Sequence, residues 1–135
     1  MTARILLVED NEDNRALMQY LLQARGYEPL LARSGAEGIE LAVEHRPELI
    51  LMDIQMPEMD GFEAAAEIRK RDGFTRTPMV AVTALAMVGD KERVLTGGFN
   101  GYIEKPLTAE SFVDHVEAYL PPELRSRGAE GGGAR

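Results

Sequence analysis

The sequence contains no cysteine, only two histidines and no long apolar run. The lack of cysteine excludes disulfides, thiolate metal sites and cysteine nucleophiles. The first apolar stretch, residues 5–8, is too short for a signal-peptide core or a membrane span. Positive charge is also scarce, because 15 Lys and Arg face 23 Asp and Glu, and the resulting net charge of −8 disfavours binding to nucleic-acid phosphates. These absences predict a soluble, cytoplasmic protein that binds neither nucleic acid nor membrane.

The length and apolar content predict one domain. A chain of 135 residues that is 44% apolar can bury a core of its own but has no room for a second. We assign residues 1–122 to this domain. Residues 123–135 include three consecutive glycines and few apolar residues, so we predict that they form a disordered glycine-rich tail. A linker to a further domain is the alternative interpretation of this segment.

Short apolar runs alternate along the chain with stretches of helical spacing. The first, third and fourth runs are apolar throughout, which is typical of parallel strands buried on both faces. The second contains Pro29, which predicts an edge strand. Helices are predicted at about residues 12–25 and 88–95, and after the capping residues Ser34, Asp60 and Thr108, the first of these in a capping box. The alternation predicts an α/β fold: a doubly wound, five-stranded parallel sheet flanked by five helices.

Chemically active side chains follow four of the five predicted strands. Glu9 and Asp10 follow the first strand, Asp53 follows the third and Thr83 follows the fourth. Lys105 follows the fifth strand, separated from it by Glu104. In an open parallel sheet the carboxyl ends of the strands share one edge, where ligands bind. Each residue alone would be explained by a loop, a cap or a solvated charge. Their joint placement at one edge is what indicates a functional site.

The three carboxylates of this edge need a counter-charge. Two of them about 4 Å apart repel by roughly 4 kcal/mol at an effective dielectric near 20. Lys105 supplies one positive charge, and oxygen-only ligands favour Mg²⁺, or Mn²⁺, over zinc. A carboxylate beside such an ion, a lysine and a hydroxyl is suited to attack phosphorus and become an acyl phosphate. The small Ala84 after Thr83 would leave space for the phosphoryl group.

Four motifs carry a family resemblance that covers residues 4–120. They resemble the receiver domains of two-component response regulators in both order and spacing. The run Asp53-Ile54-Gln55 is also similar to that of single-domain cell-cycle regulators typified by DivK. The motifs are Val8-Glu9-Asp10-Asn11, Leu51-Met52-Asp53-Ile54-Gln55-Met56-Pro57-Glu58-Met59-Asp60-Gly61, Val82-Thr83-Ala84 and Tyr102-Ile103-Glu104-Lys105-Pro106. The family resemblance implies the flavodoxin-like strand order 2-1-3-4-5 for the sheet.

The resemblance implies a metal site and a phosphoacceptor. Asp53 resembles the aspartate that is phosphorylated. Glu9 and Asp10 resemble the acidic pair that holds Mg²⁺ together with Asp53. Gln55 resembles the residue whose backbone carbonyl completes the metal site, and it also flanks the path of the hydrolytic water, as does Leu85.

The resemblance also implies a switch. Thr83 and Lys105 resemble the hydroxyl and the amine that contact the phosphoryl group, so that both take part in the reaction with Asp53. The Lys105-Pro106 bond is expected to be cis, a form available at low cost only before proline. Tyr102 resembles the aromatic residue that moves inward as Thr83 moves, which remodels the face built from the fourth helix, the fifth strand and the fifth helix.

The expected partners follow from the same resemblance. A sensor histidine kinase or a histidine phosphotransfer protein would donate the phosphoryl group, docking on the side of the first helix near Asn14, Arg15 and Met18. A downstream protein would bind the remodelled face. The chain would then be a signalling switch rather than an enzyme, with only self-phosphorylation and autodephosphorylation activity.

Three alternatives compete with this interpretation. A phosphatase of the haloacid-dehalogenase type also uses an aspartate nucleophile, but it needs a second acid two residues later for general acid–base work, where this chain has Gln55. The chain could instead be the receiver part of a larger hybrid kinase or regulator. A phosphate-independent interaction module is disfavoured because every group of the site is present.

Overall fold

The computed structural model describes residues 3–84 and 88–125. Its elements alternate strand and helix from the amino terminus, as the sequence predicts, and each strand is four or five residues long. The strands are β1 (Arg4–Val8), β2 (Glu28–Ala32), β3 (Leu49–Asp53), β4 (Met79–Thr83) and β5 (Gly101–Glu104). The helices are α1 (Glu12–Ala24), α2 (Gly35–His45), α3 (Gly61–Arg69), α4 (Val88–Thr96) and α5 (Ala109–Glu117), followed by a 3₁₀ turn at Pro122–Leu124.

The five strands form one parallel sheet of order β2-β1-β3-β4-β5, which confirms the predicted fold. Pro29 lies in the edge strand β2, where its missing N–H costs no central ladder bond. In the central strands β3 and β4 every residue is buried, because helices cover both faces of the sheet. No helix among the described residues combines the length and apolar character that a membrane crossing requires.

Alternate residues of each central strand enter two separate cores. Leu6, Ile50 and Ala81 pack on one face against α2, α3 and α4, whereas Ile5, Leu49 and Val80 pack on the other against α1 and α5. This alternation follows from the twofold side-chain period of a strand. Both cores are apolar, and three of the four buried polar side chains among the described residues, Glu9, Asp53 and Thr83, lie at the carboxyl ends of strands.

The buried face of α1 includes part of the side that was expected to be exposed. The docking side predicted near Asn14, Arg15 and Met18 is not exposed at Arg15 and Met18, which are buried together with Leu22. The error arose because an arginine was assumed to lie outside, whereas its aliphatic stem can be buried if its guanidinium finds an acceptor. Arg15 and Met18 are therefore not a surface to which a kinase could dock.

The predicted caps are present with two differences. Asp60 and Glu63 form a reciprocal capping box at α3. Ser34 caps α2, but the Glu37 carboxylate accepts a hydrogen bond from the N–H of Arg33 and not from that of Ser34.

Thr108 occupies the N-cap position of α5, yet its hydroxyl bonds the Ser111 hydroxyl and caps no backbone N–H. Within the segment predicted as a tail, Leu124 packs against the core that contains α5. Residues 126–135 lie outside the described residues, so their disorder stays a prediction.

Candidate functional site

The carboxyl edge of the sheet brings the predicted site residues together. Val8 pairs with Met52 between β1 and β3, and Asp53 pairs with Val82 between β3 and β4. Glu9 therefore emerges beside Asp53, and Thr83 lies one residue beyond Val82. The N–H of Lys105 donates to the Thr83 carbonyl at 2.9 Å, which extends the β4–β5 pairing to the site.

Three carboxylates converge at this edge. One oxygen from each of Glu9, Asp10 and Asp53 lies within 4.8 Å of the others. Glu9 is 0% exposed and Asp53 is 4% exposed, whereas Asp10 faces solvent. The cluster therefore consists of two buried carboxylates and one that is accessible to solvent.

Lys105 supplies the counter-charge. Its Nζ lies 3.1 Å from Glu9 Oε1 and 3.4 Å from Asp53 Oδ1. The Lys105-Pro106 peptide bond is cis, as expected. One ammonium facing three carboxylates leaves the cluster with a net charge of −2 when all are ionised.

Burial and crowding make Asp53 a weak acid. Desolvation, the charge of Glu9 and a hydrogen bond with Glu9 raise the pKa of Asp53 from 3.8 to about 7, against the lowering effects of Lys105 and of the Gln55 N–H. That N–H donates to Asp53 Oδ1 at 3.2 Å. A cation bound at the cluster would favour the ionised, nucleophilic form of Asp53.

The cluster has the properties of a hard divalent-cation site. Its side-chain donors are carboxylate oxygens, the ligands that Mg²⁺ prefers. Glu9 Oε1 is a buried oxygen with no hydrogen-bond partner among the described residues, since Lys105 Nζ is close to it but outside hydrogen-bond geometry. Buried oxygens normally have a partner, so Mg²⁺ fits these residues.

The remaining predicted residues lie around the cluster. Thr83 is 1% exposed at the end of β4, and Gln55 is exposed just beyond β3. Tyr102 on β5 is half-buried, with the Lys91 amine 5.6 Å from its ring centre. Leu85 lies outside the described residues. The roles of these residues stay predictions.

Tyr102 also borders a cleft between β5 and α5. The cleft has a volume of about 450 Å³ and lies on the predicted partner-binding face. Its lining combines two tyrosines with one acidic and one imidazole side chain. The lining residues are Tyr102, Ile103, Glu104, His115, Ala118 and Tyr119.

Gly61 is a site residue whose structural role spacing did not reveal. The first turn of α3 approaches β3 so closely that a Cβ on Gly61 would lie 2.5 Å from the Asp53 carbonyl oxygen and 2.8 Å from Ile54 Cα. The N–H of Gly61 also donates to the Ile54 carbonyl at 2.9 Å. The missing side chain therefore allows α3 to support the backbone that carries Asp53.

We expect Gly61→Ala to destabilise the fold by about 1 to 3 kcal/mol, because the added methyl group meets backbone that cannot rotate away. The sign is informative, since glycine to alanine within a helix normally stabilises by roughly 0.5 to 1 kcal/mol. Urea unfolding measures the difference. Gly35→Ala is the matched control at the start of α2 and should cost less, because the nearest atom is the flexible thioether of Met59 at 3.0 Å and the nearest backbone atom, the Met59 carbonyl oxygen, is at 3.2 Å. A Gly61→Ala protein as stable as the wild type would contradict the argument.

Comparison with protein families matches residues 5–117 to the response regulator receiver domain. A similar curated protein is the polar-differentiation response regulator DivK of Brucella ovis. It is 45% identical over 120 residues, which span 89% of this chain and 98% of that protein.

Solved structures agree with this match. The chemotaxis protein CheY4 of Vibrio cholerae is 28% identical with a TM-score of 0.85, over 89% of this chain and 100% of that one. The receiver domain of the sensor histidine kinase PA1611 from Pseudomonas aeruginosa PAO1 is 34% identical with a TM-score of 0.81, over 88% and 98% of the two chains. That structure has a magnesium ion coordinated in its active-site cleft.

Proposed function

Since the chain belongs to the response regulator receiver domain family, which confirms the resemblance read from its motifs, we propose that Asp53 accepts a phosphoryl group and thereby switches the protein between two states. The observation that carries the proposal is the position of the Asp53 carboxylate: it is buried beside Glu9 and 3.4 Å from the Lys105 amine. A buried carboxyl group with an amine and further acids around it can act as a nucleophile, because a bound cation would favour its ionised form.

The proposed phosphodonor is a phosphohistidine on a sensor histidine kinase or a histidine phosphotransfer protein, which places the switch in the cytoplasm. An Asp53 oxygen would form a bond to phosphorus while the phosphorus–nitrogen bond breaks and the donor imidazole keeps the electron pair. Leu17 and Tyr20 are the large apolar side chains that α1 exposes, at 37% and 68%. They replace Arg15 and Met18 as the proposed docking contacts of the donor.

Mg²⁺ is the proposed cofactor, held by Glu9, Asp10, Asp53 and the backbone carbonyl of Gln55. When bound, it neutralises charge on the phosphoryl oxygens during transfer. Lys105 is positioned to neutralise a further oxygen, because its amine already lies within 3.4 Å of Asp53. Thr83 would donate its hydroxyl to the phosphoryl group from the end of β4.

The switch would pass through β5 to the partner-binding face. The phosphoryl group adds a charge of about −2 near neutral pH, which attracts Thr83 and Lys105. Because the Lys105 N–H is bonded to the Thr83 carbonyl, movement of one strand end is transmitted to the other and to Tyr102. The proposed output is a shift in population that reshapes the cleft between β5 and α5 for a downstream protein. Hydrolysis of the acyl phosphate resets the protein, with no turnover of other substrates.

Intact-mass spectrometry tests the proposal directly. We expect wild-type protein incubated with Mg²⁺ and a small acyl phosphate to gain one phosphoryl group, Asp53→Asn to gain none, and EDTA to suppress the labelling. Asp72→Asn, which alters an exposed carboxylate outside the site, is the matched control and should be labelled like the wild type. Equal labelling of wild type and Asp53→Asn, or no labelling of the wild type, would contradict the proposal.

A further inference from the structure

Arg15 is a buried cation next to the acidic cluster. It is only 8% exposed and lies on the inner face of α1 with Met18 and Leu22. Its Nη1 donates a buried hydrogen bond of 2.8 Å to the backbone carbonyl of Glu9. Within the described parts of the chain no carboxylate lies within ion-pair distance of its guanidinium. A buried charge without a direct partner is costly, unless the net negative charge of the neighbouring cluster offsets it.

The carbonyl that Arg15 holds belongs to the peptide that links the two neighbouring acids of the cluster. The N–H of Glu9 donates to the Ala32 carbonyl on β2. The Glu9 carboxylate accepts from the Asn11 N–H at 3.1 Å. Arg15 therefore completes a set of bonds that hold Glu9 through its N–H, its carbonyl and its side chain.

Asp10 depends on this peptide more than Glu9 does. Its carboxylate faces solvent and has no hydrogen bond or ion pair to any residue that the structure describes. Its position is therefore set by the backbone between Glu9 and Asn11. The orientation of that backbone is fixed on one side by the N-cap bond of Asn11 to the Asn14 N–H at 2.9 Å, and on the other by the Arg15 bond to the Glu9 carbonyl.

We propose that Arg15 is a positioning residue for the divalent cation, which it serves by holding the Glu9–Asp10 peptide so that both carboxylates point into one site with Asp53. The proposal rests on the proposed metal-dependent function of that site and adds to it a residue from α1. The bond geometry carries the argument: one buried guanidinium donor contacts one peptide carbonyl between two of the three acids. Groups that orient metal ligands typically change metal affinity by 10- to 100-fold when removed.

Calorimetric titration with Mg²⁺ alone tests this inference. We expect Arg15→Met, which keeps an apolar stem in the buried position, to weaken Mg²⁺ binding by about tenfold or more. Arg15→Lys keeps the charge and one donor and should recover part of that loss. Arg25→Met removes a cation from the C-cap of the same helix, where Arg25 pairs with Glu117 at 3.3 Å, and should bind Mg²⁺ like the wild type.

A second control separates positioning from general stability. Met18→Ala removes a buried side chain from the same face of α1 without touching Glu9, so it should lower the unfolding temperature but leave Mg²⁺ affinity unchanged. Wild-type affinity in a folded Arg15→Met protein, or an equal loss in Met18→Ala, would overturn the inference. If Arg15→Met does not fold, the affinity of Arg15→Lys decides: a value between wild type and a tenfold loss supports the inference, and a wild-type value overturns it.

The same proteins distinguish failure of this inference from failure of the proposed function. Phosphoryl labelling of the wild type, measured in parallel, reports on the function alone. Labelled wild type with undiminished Mg²⁺ affinity in the Arg15 variants would leave the function standing and remove Arg15 from the site. If the wild type were not labelled but the Arg15 variants still bound Mg²⁺ more weakly than it does, the proposed function would fail and the positioning role of Arg15 would stand.

Discussion

Asp53→Asn is expected to make the metal-free protein more stable than the wild type at pH 8, by on the order of 3 kcal/mol, although it removes the central residue of the site. The wild type buries a carboxylate whose pKa is raised from 3.8 to about 7 by desolvation and by Glu9. Ionising that group in the folded state costs about 1.4 kcal/mol for each pKa unit. An asparagine carries no charge to desolvate, and its amide can donate to the Glu9 carboxylate.

The pH dependence gives this prediction its sign. Between pH 3.8 and about 7 the folded protein holds the Asp53 proton while the unfolded chain has released it. Stability of the wild type therefore falls as pH rises through this window, and the full penalty is present above pH 7. The Asp53→Asn protein lacks this slope. Its advantage should grow by about 2 to 3 kcal/mol from pH 5 to pH 8.

Urea unfolding in the presence of EDTA, at intervals from pH 5 to pH 8, measures this difference. Asp72→Asn is the control, because it removes an exposed carboxylate outside the cluster, and it should follow the wild type at every pH. A stability difference between Asp53→Asn and wild type that stays constant with pH would show that the Asp53 proton is not bound in the folded state. In a separate measurement at pH 8, added Mg²⁺ should stabilise the wild type and not Asp53→Asn, since a ligand stabilises the state that binds it.

Lys105→Met is expected to separate metal binding from phosphorylation. Lys105 contributes the one positive charge within 3.4 Å of Glu9 and Asp53 among the described residues. Without it the ionised cluster carries −3 instead of −2, so Mg²⁺ should bind more tightly. Labelling by an acyl phosphate should nevertheless be slower by about a hundredfold, because the amine no longer neutralises the oxygens of the transferring group.

Two measurements on one protein check the separation: calorimetric Mg²⁺ affinity and the rate of phosphoryl-adduct formation at saturating Mg²⁺. Lys70→Met is the matched control, an exposed lysine that pairs with Glu67 at 3.1 Å on α3, and both quantities should match the wild type. If Lys105→Met lost Mg²⁺ affinity and labelling together, Lys105 would be a structural support of the acidic cluster and not a contact of the phosphoryl group.

The arrangement of Asp53, Glu9, Asp10 and Lys105 was predictable because it follows from topology. Apolar runs indicate the strands, alternation with helices makes the sheet parallel, and a parallel sheet presents all its carboxyl ends at one edge. Residues that directly follow those runs must then meet, without any knowledge of side-chain contacts. The edge position of β2 was predictable for a similar reason, since Pro29 cannot donate to a central ladder.

Arg15 and Gly61 were not predictable in this way. Arginine in an amphipathic helix is normally solvated. The helical period alone could not show that the buried face of α1 consists of Arg15, Met18 and Leu22. The buried position of Arg15 depends on the Glu9 carbonyl, which reaches it only after β1 and α1 have packed. The need for glycine at position 61 depends on the distance between α3 and the Asp53 backbone, a property of the packed pair of elements.

Local sequence therefore sufficed for the parallel sheet and for the acids that gather at its edge, because these depend on periodicity and chain direction, whereas the strand order came from the family resemblance. Packing of α1 and α3 against the sheet settled how deeply Glu9 and Asp53 are buried, which cation faces them and which backbone groups support them. The physical reason is that hydrophobic periodicity is a property of each segment, whereas desolvation, ion pairing and close backbone contact exist only between segments brought together by folding.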